Sequence, residues 1–150
     1  MSGADEEIAA LIAAARSARA RAYAPYSSFR VGAALRLSDG SLVVGANVEN
    51  ASYGHTICAE RAAICAAVAA VGLLPGGLLA VAVVADTAAG SVCAPCGACR
   101  QVLCEFGGPA VSVTMVNERD GGQQIWRLGA LLPLAFGPTS LPSVSGPSTA

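Results

Sequence analysis

Leu78-Leu79-Ala80-Val81-Ala82-Val83-Val84-Ala85 contains no polar side chain. An unbroken, valine-rich run this short lacks the alternation of a half-solvated strand and predicts a strand buried on both faces. Working outward, the stretch from about Cys58 to Val71 reads as a helix stopped by Gly72. A second helix begins near Cys96 and ends before Gly107-Gly108-Pro109, and Val111–Val116 follows as an alternating strand. Strand, helix and strand in succession require parallel pairing across a crossover.

Hairpins flank this unit. Val31–Leu37 and Leu42–Ala46 are joined through Ser38-Asp39-Gly40, an Asp-Gly turn. Asp120-Gly121-Gly122 turns the later strand into Gln123–Arg127, and a brief helical turn is expected over Leu128–Leu132. At the N-terminal end, Asp5 to Ala22 reads as an amphipathic helix with Ile8, Leu11, Ile12 and Ala15 at helical spacing. Its acidic start and its arginines Arg16, Arg19 and Arg21 complement the helix dipole. Tyr23–Arg30 and Asn47–Thr56 read as loops. The expected architecture is α/β, a single mixed sheet of about five strands layered with helices, over residues 1–141. Residues 142–150, rich in proline and serine, are expected to form a flexible tail.

Composition narrows the function. The 150 residues are 54% hydrophobic and 13% charged, ample for one core. A net charge of -1 argues against a binder of phosphate backbones, which carries a basic stripe. The uncharged stretch Ala62–Ala85 is broken by Gly72 and Pro75-Gly76-Gly77, so it does not read as a membrane span. Acidic residues stand where a signal peptide would place positive charge, and a cytoplasmic protein is expected. Six cysteines without such a signal point to metal or catalytic use rather than disulfides.

Three of those cysteines form a pattern. Cys58-Ala59-Glu60 and the distant Pro95-Cys96-Gly97-Ala98-Cys99 offer three thiols that bind one zinc and leave its fourth position open to water. Both groups sit at expected helix N-termini, where unpaired N–H groups and the dipole favour thiolates. Glu60 is the base that would move the protons of the water, staying off the metal. Arg61 and Arg100 are candidates to offset the surplus negative charge of three thiolates. Cys65 and Cys104 are expected to be small buried hydrophobes. Cys93 forms a second Cys-x-x-Cys with Cys96 but opens the helix less convincingly as a ligand. His55, the only histidine, is the residue that would close a purely structural site of three cysteines and one histidine.

A cysteine two residues before a glutamate, followed by Pro-Cys-x-x-Cys, is the pattern of zinc-dependent nucleobase deaminases. The chain more specifically resembles the small cytidine deaminases. The resemblance rests on Tyr26–Ala34, Asn47–Gly54, Thr56–Arg61, Pro95–Glu105, Leu131-Leu132-Pro133 and Phe136-Gly137-Pro138. It implies the three-layer fold of that family, one zinc per chain, and hydrolytic deamination of cytidine and deoxycytidine in pyrimidine salvage. It implies that Asn47 and Glu49 hold the ribose hydroxyls, that Phe29 packs on the pyrimidine, and that Ala59 lies among the substrate contacts. Arg61 and Gln101 match residues that bond the zinc-ligating sulfurs. Family members of this length form homotetramers, and Tyr53 and Phe136 match residues lent by neighbouring subunits. Ala94 stands where serine is common, and Leu134 and the extra cysteines are not family marks. Other readings are deamination of a nucleoside-like antibiotic, deamination of a polynucleotide, and an inactive zinc scaffold. The Asn47–Gly54 run counts against the first, the net charge against the second, and Glu60 against the third.

Overall fold

The computed structural model describes residues 2–142; the expected tail at 142–150 lies, beyond Pro142, outside the described residues. The elements are α1 (Gly3–Arg19), β1 (Val31–Leu37), β2 (Leu42–Ala46), α2 (Ala59–Val71), β3 (Leu78–Ala85), α3 (Gly97–Gly107), β4 (Ser112–Asn117), β5 (Gln123–Arg127) and α4 (Leu128–Leu131). Short 3₁₀ turns occupy Tyr53–His55 and Pro138–Ser140. The first lies inside a stretch expected to be plain loop. The N-terminal helix ends three residues before the expected Ala22, and its Ser2 cap is completed by Asp5.

One five-stranded sheet runs in the order β2-β1-β3-β4-β5. β3 and β4 pair in parallel, and the outer pairings are antiparallel, as the strand-helix-strand reading requires. β3 is buried on both faces. Val81, Val83 and Ala85 enter the core under α2, α3 and α4, while Ala80, Ala82 and Val84 enter a smaller core under α1. The result is a three-layer sandwich. No described helix is long and apolar enough to cross a membrane.

Pairing brings Val31 beside Ala85, Gly32 beside Ala46, and Ala85 beside Asn117. The start of β1 and the ends of β2, β3 and β4 therefore share one end of the sheet. α2 and α3 both begin there.

Two glycines set how closely the helices lie. A Cβ on Gly32 would stand 2.5 Å from the Arg19 backbone nitrogen and 2.8 Å from its Cβ. One on Gly45 would overlap the Ala59 carbonyl and the Ala63 nitrogen, and would stand 2.9 Å from the Ala63 Cα. Because all of these but the Arg19 Cβ are backbone atoms, no rotamer change relieves the overlap. Gly45→Ala should destabilise the protein by about 3 kcal/mol, lowering Tm by roughly 6–12 °C. A thermal melt unchanged from the parent would show that α2 does not rest on Gly45.

Candidate active site

Cys58 and Cys96 are the N-cap residues of α2 and α3, and neither uses its side chain to cap the helix. Serine, threonine or aspartate would normally bond the orphan N–H groups here. The two thiols instead turn to each other across 3.9 Å. Cys99, fully buried one turn into α3, completes a group whose sulfurs all lie within 4.8 Å of one another. Tetrahedral zinc–thiolate bonds of ~2.3 Å place sulfurs about 3.8 Å apart. The spacing and the soft three-thiol donor set therefore fit one zinc ion. The Cys58 thiol is pushed down to about 5, first by its hydrogen bond with Cys99, against desolvation, with Arg61 and Cys96 assisting. The same contact pushes Cys99 up.

Arg61 Nη2 lies 3.9 Å from Cys58 Sγ and donates to the Thr56 carbonyl at 3.2 Å. Its buried Nε has no partner. Arg100 turns to backbone carbonyls rather than to the sulfurs. It donates to the Pro95 carbonyl at 2.7 Å and the Leu131 carbonyl at 2.8 Å, fixing the backbone just before Cys96. Gln101 also departs from expectation: its amide donates to the Phe136 carbonyl at 2.8 Å, not to a ligating sulfur. It lies in the second turn of α3 and ties down the C-terminal segment.

Glu60 is only 4% exposed. Burial raises its pKa, opposed by its backbone N–H, while negative charge on Cys58 raises it further. A carboxyl brought toward neutrality can both take and give a proton. It opens into a cavity of about 280 Å³ that also includes Cys58, Ala59 and Cys96. Ser27, Asn47, Glu49 and Thr56 line it too, with Phe29, Val31, Cys93 and Ala94 completing its walls.

The loop bearing Asn47 and Glu49 is less irregular than the sequence suggests. Val48 and Ile57 exchange two backbone hydrogen bonds of 2.9 Å, which sets Glu49 close to Cys58. Tyr23 pairs with the same segment through the Asn47 carbonyl and the Glu49 N–H. Asn47 is 8% exposed; its Oδ1 accepts from the Val31 N–H and its Nδ2 donates to the Phe29 carbonyl, both at 2.8 Å. One donor and one lone pair remain for a ligand. Glu49 Oε2 accepts from the Tyr26 and Ser27 N–H groups, and Oε1 from the Ser27 hydroxyl. The Ser27 hydroxyl, more than those N–H groups, holds this carboxyl below its usual range.

Tyr53 and Phe136 are not part of this cavity. Tyr53 is 75% exposed and lines an adjoining pocket of about 290 Å³ with Tyr26, whose ring meets it edge-on at 5.8 Å. Phe136 is 60% exposed. His55 stays with Ser52, its Nδ1 2.8 Å from the hydroxyl, and is not in the thiol group. Cys93 lines the cavity outside that group, and burial first, then the charges of Glu60, Cys58 and Cys96, push its thiol up to about 11. Cys65 corrects an expectation: it is exposed. α2 carries no charge after Arg61, so nothing in its sequence marks which face is outward. Cys104 is half-buried against the main core.

Two residues that sequence reasoning passed over hold the loop between β3 and Cys96. Fully buried Asn117 accepts from the Thr87 N–H at 3.1 Å and donates to the Ala88 carbonyl at 3.0 Å. Asp120 Oδ2 accepts from the Gly90 N–H at 2.7 Å. The only signal in the sequence was the turn chemistry of Asp120-Gly121-Gly122.

The chain matches the family described as "Cytidine and deoxycytidylate deaminase zinc-binding region" over residues 5–115. A cytidine deaminase of Mycobacterium tuberculosis is 50% identical over 128 residues, 85% of this chain and 88% of that one. One from Halalkalibacterium halodurans is 48% identical over 128 residues, covering 84% and 91%. The crystal structure of cytidine deaminase from Burkholderia pseudomallei superposes with a TM-score of 0.80 at 50% identity, over 91% of this chain and 100% of that one.

Cys96→Ser replaces the α3 cap with a better capping residue, so the helix should persist while most bound zinc is lost. Metal content near one ion per chain in that variant, with unchanged circular dichroism, would remove Cys96 from the ligand set.

Proposed function

The chain belongs to the cytidine and deoxycytidylate deaminase family, and from that premise we propose hydrolytic deamination of cytidine and deoxycytidine, giving uridine, deoxyuridine and ammonia. The observation that carries this is buried Glu60, facing one cavity with two of the three clustered thiols and with Asn47 and Glu49.

Cys58, Cys96 and Cys99 hold the zinc in this reading. Bound there, zinc supplies a Lewis acid that makes a water nucleophilic near neutral pH. Glu60 takes the proton of the attacking water and delivers it to the ring nitrogen beside the amine-bearing carbon. Glu60 then takes the remaining proton of that oxygen and hands it to the amine; as the carbonyl forms, the carbon–nitrogen bond breaks and ammonia leaves. Its burial keeps bulk water from competing for those protons. Arg61, beside Cys58 Sγ, offsets the charge of the thiolates. Asn47 and Glu49 hold the sugar hydroxyls, Phe29 packs on the pyrimidine, and Ala59 lines the cavity against the base.

Among the described residues, no arginine or histidine lines the cavity or its neighbour, which supports a neutral nucleoside over a phosphorylated or polymeric substrate. Residues 1–141 act as one catalytic domain in this reading, working in cytoplasmic pyrimidine salvage. The active form is a homotetramer with shared sites. The exposed apolar side chains of Tyr53, Leu134 and Phe136, and of Val68 and Val71 on α2, support burial against other copies.

Glu60→Gln should keep zinc and fold while deamination, followed by ultraviolet absorbance of cytidine, falls by about 10²–10⁴-fold. Loss of zinc in that variant, or substantial remaining turnover, would remove Glu60 from the proton-carrying role. Native mass spectrometry should return four chains per particle; a fully active monomer would defeat the shared site.

A further inference from the structure

The proton chemistry above leaves one cavity-lining thiol without a task. Cys93 lines the same cavity of about 280 Å³ as Glu60, Cys58 and Cys96. It is not among the three sulfurs grouped to hold a metal, although it forms a Cys-x-x-Cys with Cys96. It is half-buried and packs against the main core, so its position is set by tertiary packing. With Ala94, it is the cavity's contribution from the loop that precedes Cys96. That loop is held from outside the cavity, by Asn117 and Asp120 at its start and by Arg100 at Pro95.

The cavity has a direction. Asn47 and Glu49 mark the sugar end, and Cys58, Cys96 and Glu60 mark the end where the amine-bearing carbon must sit. Cys93 is three residues before Cys96, so their Cα atoms are at most about 11 Å apart. The charges of Glu60, Cys58 and Cys96 all act on its thiol, so it lies toward the reacting end of the cavity. A cavity near the lower limit of small-molecule sites leaves little slack, and there one methylene-sized change shifts discrimination by about 10–200-fold.

Resting on the deaminase reading, we propose that Cys93 is the wall residue that sets how bulky a substituent the cavity accepts on the ring edge bearing the amine. The ligands it discriminates are pyrimidine nucleosides substituted at the ring carbon beside the amine or on the amine itself. The thiol is small enough to admit the unsubstituted ring, and its volume closes the space beyond.

The test compares wild type with Cys93→Ala, Cys93→Leu and the near-isosteric Cys93→Ser, all zinc-loaded. The readouts are kcat/KM ratios for 5-methylcytidine and N4-methylcytidine, each against cytidine. A calorimetric affinity ratio of 5-methyluridine to uridine adds a readout that needs no turnover. Cys93→Ala should raise at least one kcat/KM ratio and the affinity ratio about tenfold, and Cys93→Leu should lower them, with Cys93→Ser close to wild type. Ratios within about twofold of wild type in both the alanine and leucine variants would overturn the proposal. So would loss of zinc from Cys93→Ser, which would make Cys93 a ligand. A wild type that binds uridine but leaves cytidine unchanged would refute the deaminase reading, while the affinity ratios would still decide the role of Cys93.

Discussion

Everything at the site depends on two helix N-termini meeting at one end of the sheet. β2 and β3 both end there, and the loop that follows each strand leads back into a helix whose N-cap residue is a cysteine. The arrangement has a local cost. An N-cap that does not bond the first turn forgoes about 1 kcal/mol of helix stability, and it does so twice. What replaces it is packing: Gly32 and Gly45 let α1 and α2 lie almost on the sheet backbone, and small side chains such as Ala59, Ala63 and Ala67 fill the space between. Helix dipoles aimed at the sulfurs recover part of the electrostatics by favouring thiolates.

The Asn47–Glu49 end of the cavity is tied to the thiol end by backbone rather than by side chains. The Val48–Ile57 pair closes the Asn47–Thr56 loop onto the start of α2. Asn47 then anchors that loop to the start of β1 with both ends of its amide. A displacement of β1 is therefore carried to Phe29, Asn47 and Cys58 together. Glu49 is organised by its neighbours, with Tyr26 and Ser27 orienting its carboxylate before any ligand arrives, so less ordering is left for binding to impose.

How much of this could be read in advance follows from where the information lies. The strands β1, β2, β3 and β5 fall at the expected bounds because their periodicity and turn residues agree. The grouping of the three thiols, with Glu60 in the cavity beside them, was legible because metal binding needs those residue types at that spacing. Cys65 was misplaced because an uncharged helix has no polar stripe to identify its outer face. Gln101, Arg100, Asn117 and Asp120 were illegible for a different reason. Their partners are backbone atoms of segments remote in sequence, such as the carbonyls of Phe136, Leu131 and Ala88, and no local pattern encodes such a pairing.

The charges within the site explain why the three thiols and Glu60 belong to one unit. Cys58, Cys96, Cys99 and Glu60 are all groups that carry negative charge when ionised, gathered where burial penalises charge. Arg61 is the nearby cation, and at 3.9 Å from one sulfur it balances only part of that sum. A dication held by the three sulfurs is the natural counter-charge, since it allows the thiols to ionise and eases the repulsion that lifts Glu60. Metal affinity, thiol ionisation and protonation of Glu60 are then one coupled equilibrium.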